Sequence, residues 1–165
     1  MGYRAAAGYG QEEKKIMISA PHTYADWAKV LDNFKSRSND QEVLAAMKNG
    51  TLEWQSGVAE RFSKRLIDSV NYRMNNASDK FQKDLSRANG SEGVIVQALL
   101  TLRKEMAFLA QAIDLPVLPD GERRHYLQLV LDQANLMQKS LEDSAKKDRS
   151  GKMSSIVRNH KVNSF

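Results

Sequence analysis

Apolar residues along this chain recur, stretch after stretch, at the spacing of one face of a helix. The longest stretch runs from Trp54 to about Arg87, without proline and with a single glycine, Gly57, near its start. Its apolar positions step by four, four, three, four, four and three residues, an eleven-residue repeat formed by Leu66, Val70, Met74, Ala77, Phe81, Leu85 and Ala88. Eleven residues in three turns nearly match the natural helical period, so we predict one long helix over about 52–88. Residues 75–79, rich in side chains that favour caps and turns, mark where it would break.

The same periodicity predicts two shorter helices before the long one. Thr23, with Asp26 three residues later, is a candidate N-cap for a helix over about 23–36. A second, short helix is expected to follow Asn39 and to end near Gly50, because glycine readily adopts the left-handed conformation that ends a helix.

Two further helices are predicted after the long one. A turn at residues 89–93 precedes a stretch with heptad spacing, which is typical of a helix at the centre of a bundle. Asp120 can cap the last long helix, which ends near Lys147. Because the connector between them is short and holds Pro116 and Pro119, we expect these two helices to pack antiparallel.

Together these elements predict an all-α fold, an antiparallel helical bundle of four to five helices with one long helix and flexible N- and C-terminal segments. At 165 residues the chain fits one domain with a self-sufficient core. We divide it into a flexible N-terminal arm (1–20), a helical bundle domain (21–147) and a basic C-terminal tail (148–165).

Cysteine content and hydropathy indicate in which cellular compartment the protein is expected and whether it associates with a membrane. It has no cysteine, so neither disulfides nor thiolate metal sites contribute to its stability, and a cytoplasmic location is favoured. The first residues lack the apolar core of a secretory signal, and no apolar run reaches the length of about 18 residues that spans a bilayer. We therefore expect no membrane association.

Net charge is concentrated at the C-terminus. The last 20 residues contain six lysines and arginines and one acidic residue, which accounts for the whole net charge of +5. The other 145 residues contain 19 basic and 19 acidic residues and are neutral. A neutral body with a cationic end is typical of a protein that associates with something acidic.

The basic tail also carries apolar residues. Its cations are candidate contacts for nucleic acid or for an acidic protein surface: Lys146, Lys147, Arg149, Lys152, Arg158 and Lys161. Among them lie Ile156, Val157 and Phe165, which are candidate anchors for a partner. A disordered, solubilising tail is the alternative, although such a tail need not be apolar as well.

A second set of cations follows the predicted long helix. Arg65, Arg73, Lys80 and Arg87 are spaced by eight, seven and seven residues, so they form one row that could follow a phosphate backbone. The alternative is an ordinary solvated helix, because opposite charges four residues apart can pair along it, as in Lys80 and Asp84.

Sequence patterns of catalysis are missing. The Glu-x-x-His spacing that paired metal sites use occurs once, at Glu122 and His125, beside two arginines that would repel a metal cation. Neither a glycine-rich phosphate-binding loop nor a series of strands to carry one is present in the sequence. We therefore expect no enzymatic activity, no metal and no cofactor.

Two functions remain open from the sequence. The first is a non-enzymatic helical adaptor whose basic tail, assisted by the row on the long helix, binds nucleic acid or a nucleoprotein complex. The second is a protein–protein interaction or assembly module, with a possible homodimer through the long helix and the tail docked into a partner protein.

Overall fold

A computed structural model describes residues 18–53, 55 and 57–165, and within these ranges the regular structure is entirely helical. The all-α bundle is therefore confirmed. Its six helices are α1 (Tyr24–Lys35), α2 (Asp40–Lys48), α3 (Val58–Ala88), α4 (Glu92–Ile113), α5 (Asp120–Ala145) and α6 (Lys152–Asn159). The sixth lies in the segment expected to be flexible. Most of the predicted N-terminal arm, residues 1–17, lies outside the described residues.

Helix α1 begins with a reciprocal cap, as its sequence predicted. The Asp26 amide donates to the Thr23 hydroxyl at 3.1 Å, and the Thr23 amide donates to the Asp26 carboxylate at 3.2 Å. The backbone amides of His22 and Thr23 hold the pKa of Asp26 below its ordinary value. The cap fixes the start of α1. One turn into this helix the Trp27 side chain is buried in the core, and its ring packs edge-on against that of Phe62, with 4.8 Å between the ring centres.

Hydrogen bonds hold the chain between α2 and α3 against the start of α1. The Trp27 indole donates to the Thr51 carbonyl at 2.7 Å, and the Thr51 amide donates to the Pro21 carbonyl at 2.9 Å. Gly50 lies directly against the Trp27 ring, where a Cβ atom would clash. Helix α3 begins at Val58, six residues later than predicted, directly after Gly57, whose left-handed conformation, with φ at 81°, is not helical.

Helix α3 is continuous over 31 residues, which at 1.5 Å per residue is a length of about 46 Å. Residues 75–79 do not break it. Asn75, Asn76 and Asp79 are exposed, so water satisfies their side chains and they do not compete for the helical backbone, while Ala77 packs inward. The predicted apolar repeat forms the buried face, with Leu85 only half-buried.

Helix α4 lies at the centre, as predicted, in contact with α2, α3, α5 and α6. Its first turns, at Ile95 and Leu99, meet the last turns of α3, at Leu85, and of α5, at Leu141. Helix α4 is therefore antiparallel to both α3 and α5, which run parallel to each other. No helix in the described part of the chain is both long enough and apolar enough to cross a bilayer.

Candidate functional site

The C-terminal segment, defined here as residues 146–165, turns back on the bundle through an aspartate-centred cap. The Asp148 carboxylate accepts hydrogen bonds from the Met153 amide at 3.1 Å and from the Ser150 amide and hydroxyl at 3.2 and 2.9 Å. Gly151 adopts the left-handed conformation, with φ at 76°, that the turn requires. The Met153 amide, followed by the two Ser150 donors, lowers the pKa of Asp148.

A buried glutamine holds the other end of the segment. The Gln138 side-chain oxygen accepts from the Val162 amide at 3.0 Å, while its nitrogen donates to the Val157 carbonyl at 3.4 Å and to Glu142 at 3.0 Å. The sequence interpretation missed this residue. The sequence feature that could have identified Gln138 is its position, because this polar residue lies on the apolar face of α5, four residues after Ala134.

The apolar residues of the segment face the bundle. Ile156, Val157 and Val162 are buried, and Met153 packs partly against the core. Beneath them a cavity of about 140 Å³ lies between α3, α4, α5 and α6. The structure therefore uses Ile156 and Val157 inside the protein and differs from their interpretation as free partner anchors, because burial in the chain's own core leaves them no surface to offer. Phe165 remains 44% exposed.

The cations of the segment face solvent. All six predicted residues are exposed, and Lys146 contacts Asp143 at 3.7 Å. The other five form no ion pair with any described residue. The segment is therefore amphipathic, with its apolar residues against the bundle and its positive charges toward water.

One cation of the predicted helical row lies near this surface. Arg87 is exposed in the last turn of α3, where the helix dipole favours a positive charge. Because α3 and α5 run parallel and end beside α6, Arg87 lies at the same end of the bundle as Lys146. The side chain of Lys80, about two turns earlier on α3, pairs with Asp84 at 2.7 Å, as the alternative interpretation of the row expected.

The remaining two members of the row point elsewhere. Arg65 pairs with Asp32 at 3.1 Å, and this hydrogen bond, with a further one to Tyr24, raises the pKa of Arg65. Arg73 is fully buried, so it cannot reach a phosphate backbone. The four residues therefore do not form one exposed row, and the two arginines hold α3 against the helices beside it.

Arg73 has all five of its N–H groups occupied. They bind both carboxylate oxygens of Asp40, at 3.0 Å each, both oxygens of Glu105, at 2.9 and 3.1 Å, and the Phe34 carbonyl, at 2.9 Å. The guanidinium also lies 4.7 Å from the ring centre of Phe108. Burial alone lowers the pKa of Arg73, but the bonds to Asp40 and Glu105 outweigh it and raise the pKa above its ordinary value.

The described residues do not provide a metal site. No three His, Asp or Glu side chains there come together as a metal site. The Glu122 carboxylate of the Glu-x-x-His spacing instead accepts a hydrogen bond from the Ser63 hydroxyl at 2.9 Å.

Comparison with known families, curated proteins and solved structures yields no match to any of the three. Fold and site together define a helical bundle that displays a docked, cationic C-terminal segment.

Proposed function

We propose that this chain is a non-enzymatic helical binding protein whose C-terminal segment contacts nucleic acid or a nucleoprotein complex. The observation that supports it is a group of five exposed cations that form no ion pair with any acidic side chain in the described part of the chain: Lys147, Arg149, Lys152, Arg158 and Lys161. Such charges can neutralise the phosphates of a nucleic acid, and release of the cations condensed on those phosphates drives association.

The way the segment docks favours a polyanion over an apolar groove as its partner. A protein groove would take apolar anchors, yet Ile156, Val157 and Val162 are already buried in the chain's own bundle. What the segment offers to a partner is mainly charge, and a phosphate backbone can be bound by charge without apolar anchors.

A protein–protein interaction module remains the second candidate, and a different surface favours it. Leu136 is 63% exposed on α5, and the exposed Leu129 lies seven residues earlier on the same side of that helix. Because the apolar stripe of the long helix is buried, we propose this pair of leucines as the surface for self-association. Cytoplasmic location stays a prediction.

Salt dependence tests the first proposal. Affinity for a mixed-sequence DNA duplex should fall with salt at a log–log slope of about −5 if all six cations engage phosphates. A variant in which three exposed cations of the segment are neutralised should flatten the slope to about −2 to −3. The three substitutions are Lys147→Gln, Arg149→Gln and Lys152→Gln.

A control variant removes the same amount of charge from exposed positions elsewhere on the bundle. Its substitutions are Lys29→Gln, Lys104→Gln and Arg124→Gln. We expect this control to keep the slope of the unmodified protein. Equal slopes for the two triple variants, or no binding at about 50 mM salt, would contradict the proposal.

A further inference from the structure

The C-terminal segment depends on docking for its order. Helix α6 has eight residues, too few to be stable alone in water. Its end lies against α5 through Gln138, which bonds the Val157 carbonyl and the Val162 amide. These two backbone groups have no helical partner at that point, because one belongs to the last turn of α6 and the other lies beyond it.

Docking also gathers positive charge. Five cations that form no ion pair among the described residues are held on one short segment, and Arg87 lies at the same end of the bundle. Their mutual repulsion opposes docking, whereas a bound polyanion would remove that repulsion. Undocked, the same residues would be spread along a flexible chain, and a polyanion would have to order them on binding at a cost in entropy.

From these two observations we infer that docking of the C-terminal segment controls polyanion binding: the docked conformation is the one that binds tightly, and binding in turn stabilises docking. The inference rests on the proposed function. Gln138 is a positioning residue in it, since it touches no partner and acts by holding the cations in place. Because linkage is reciprocal, the factor by which docking raises affinity is the factor by which a polyanion raises docking.

An uncharged substitution separates docking from charge. Gln138→Ala removes both backbone bonds but leaves every cation, and Val157→Ser weakens the buried apolar contact of α6 without changing charge. Gln128→Ala is the matched control, because Gln128 is exposed on the same helix and its amide donates to Asp132. Hydrogen exchange at the Val162 amide reports docking, and titration with a mixed-sequence DNA duplex reports affinity.

We expect both uncharged variants to lose protection at Val162 and to bind the duplex about tenfold more weakly, because the binding-competent fraction falls. The control should keep both properties, and added duplex should raise Val162 protection in the unmodified protein. Loss of protection with unchanged affinity would overturn the coupling. Full protection in both variants would overturn the role of Gln138 and Val157. Failure of the unmodified protein to bind the duplex would instead reject the proposed function.

Discussion

Replacing Arg73 with methionine removes a buried positive charge and leaves its partners in place. The substitution keeps an apolar stem of similar length, so the packing of α3 against α1 and α4 is largely preserved. What is lost is the set of five hydrogen bonds to Asp40, Glu105 and the Phe34 carbonyl. The side chain of Glu105 is 5% exposed, so water cannot replace the missing guanidinium there.

The loss in the free energy of unfolding depends on whether the carboxylates that Arg73 leaves behind can contact water or another cation. Removing one member of a buried ion pair typically costs about 3 to 5 kcal/mol. Asp40 is 29% exposed and can rehydrate, and Arg37 still lies 3.5 Å from Glu105. We therefore expect a loss of about 3 kcal/mol, near the lower end. For a chain of this length that corresponds to a fall in melting temperature of about 6 to 12 °C.

Urea denaturation followed by circular dichroism measures the change in the free energy of unfolding. Arg65→Met is the matched control, because Arg65 also lies on α3 and pairs with an aspartate, Asp32, but its side chain is 38% exposed. This substitution should lower the free energy of unfolding by less than about 1 kcal/mol. Adding Glu105→Gln to Arg73→Met should recover part of the loss, because it removes a buried carboxylate that has lost its main partner. Similar losses for the two arginine variants, or no recovery in the double variant, would refute the account of Arg73.

Three further predictions concern other parts of the chain. Gly50→Ala should cost about 1 to 3 kcal/mol in thermal unfolding, because the new methyl group meets the Trp27 ring, whereas Gly93→Ala, with open space around it, should be neutral or slightly stabilising. Because the folded protein lowers the pKa of Asp148, its contribution is present above the ordinary pKa of about 3.9 and is lost as pH falls below it. Val162 amide protection should therefore decline in acid, and Asp148→Asn should abolish that dependence. Lys80→Ala, which breaks an exposed pair, should change stability by less than about 0.5 kcal/mol, and a larger loss would contradict that assignment.

Local periodicity was sufficient to predict most of the fold. A helix face needs apolar residues at regular spacing, and the eleven-residue repeat from Leu66 to Ala88 meets that need without reference to any other segment. The cap at Thr23 is equally local, because its partner, Asp26, is three residues away. The start of α3 was predicted too early. Hydrogen bonds to Trp27 and Pro21, which are distant in sequence, hold Thr51 outside the helix, and Gly57 adopts the left-handed conformation just before Val58.

At the candidate site, the sequence predicts which residues are charged and exposed but not how the segment that carries them is docked. The charge and exposure of Lys147 or Lys152 follow from composition, because an unpaired cation belongs at the surface. The path of the segment that carries them does not, because α6 is ordered by Gln138 and by a groove that three other helices build. Residue periodicity carries no information about contacts of that range.

Sequence alone therefore determined which stretches are helical, which faces are apolar and where the net charge lies, because each depends on neighbours within a turn or two. Tertiary structure alone decided that Arg73 is a buried tie between helices and that the basic tail is docked. Arg73 sits between Val70 and Ala77 on the apolar stripe, and such a cation is stable inside only because Asp40 and Glu105, more than 30 residues away, meet it there.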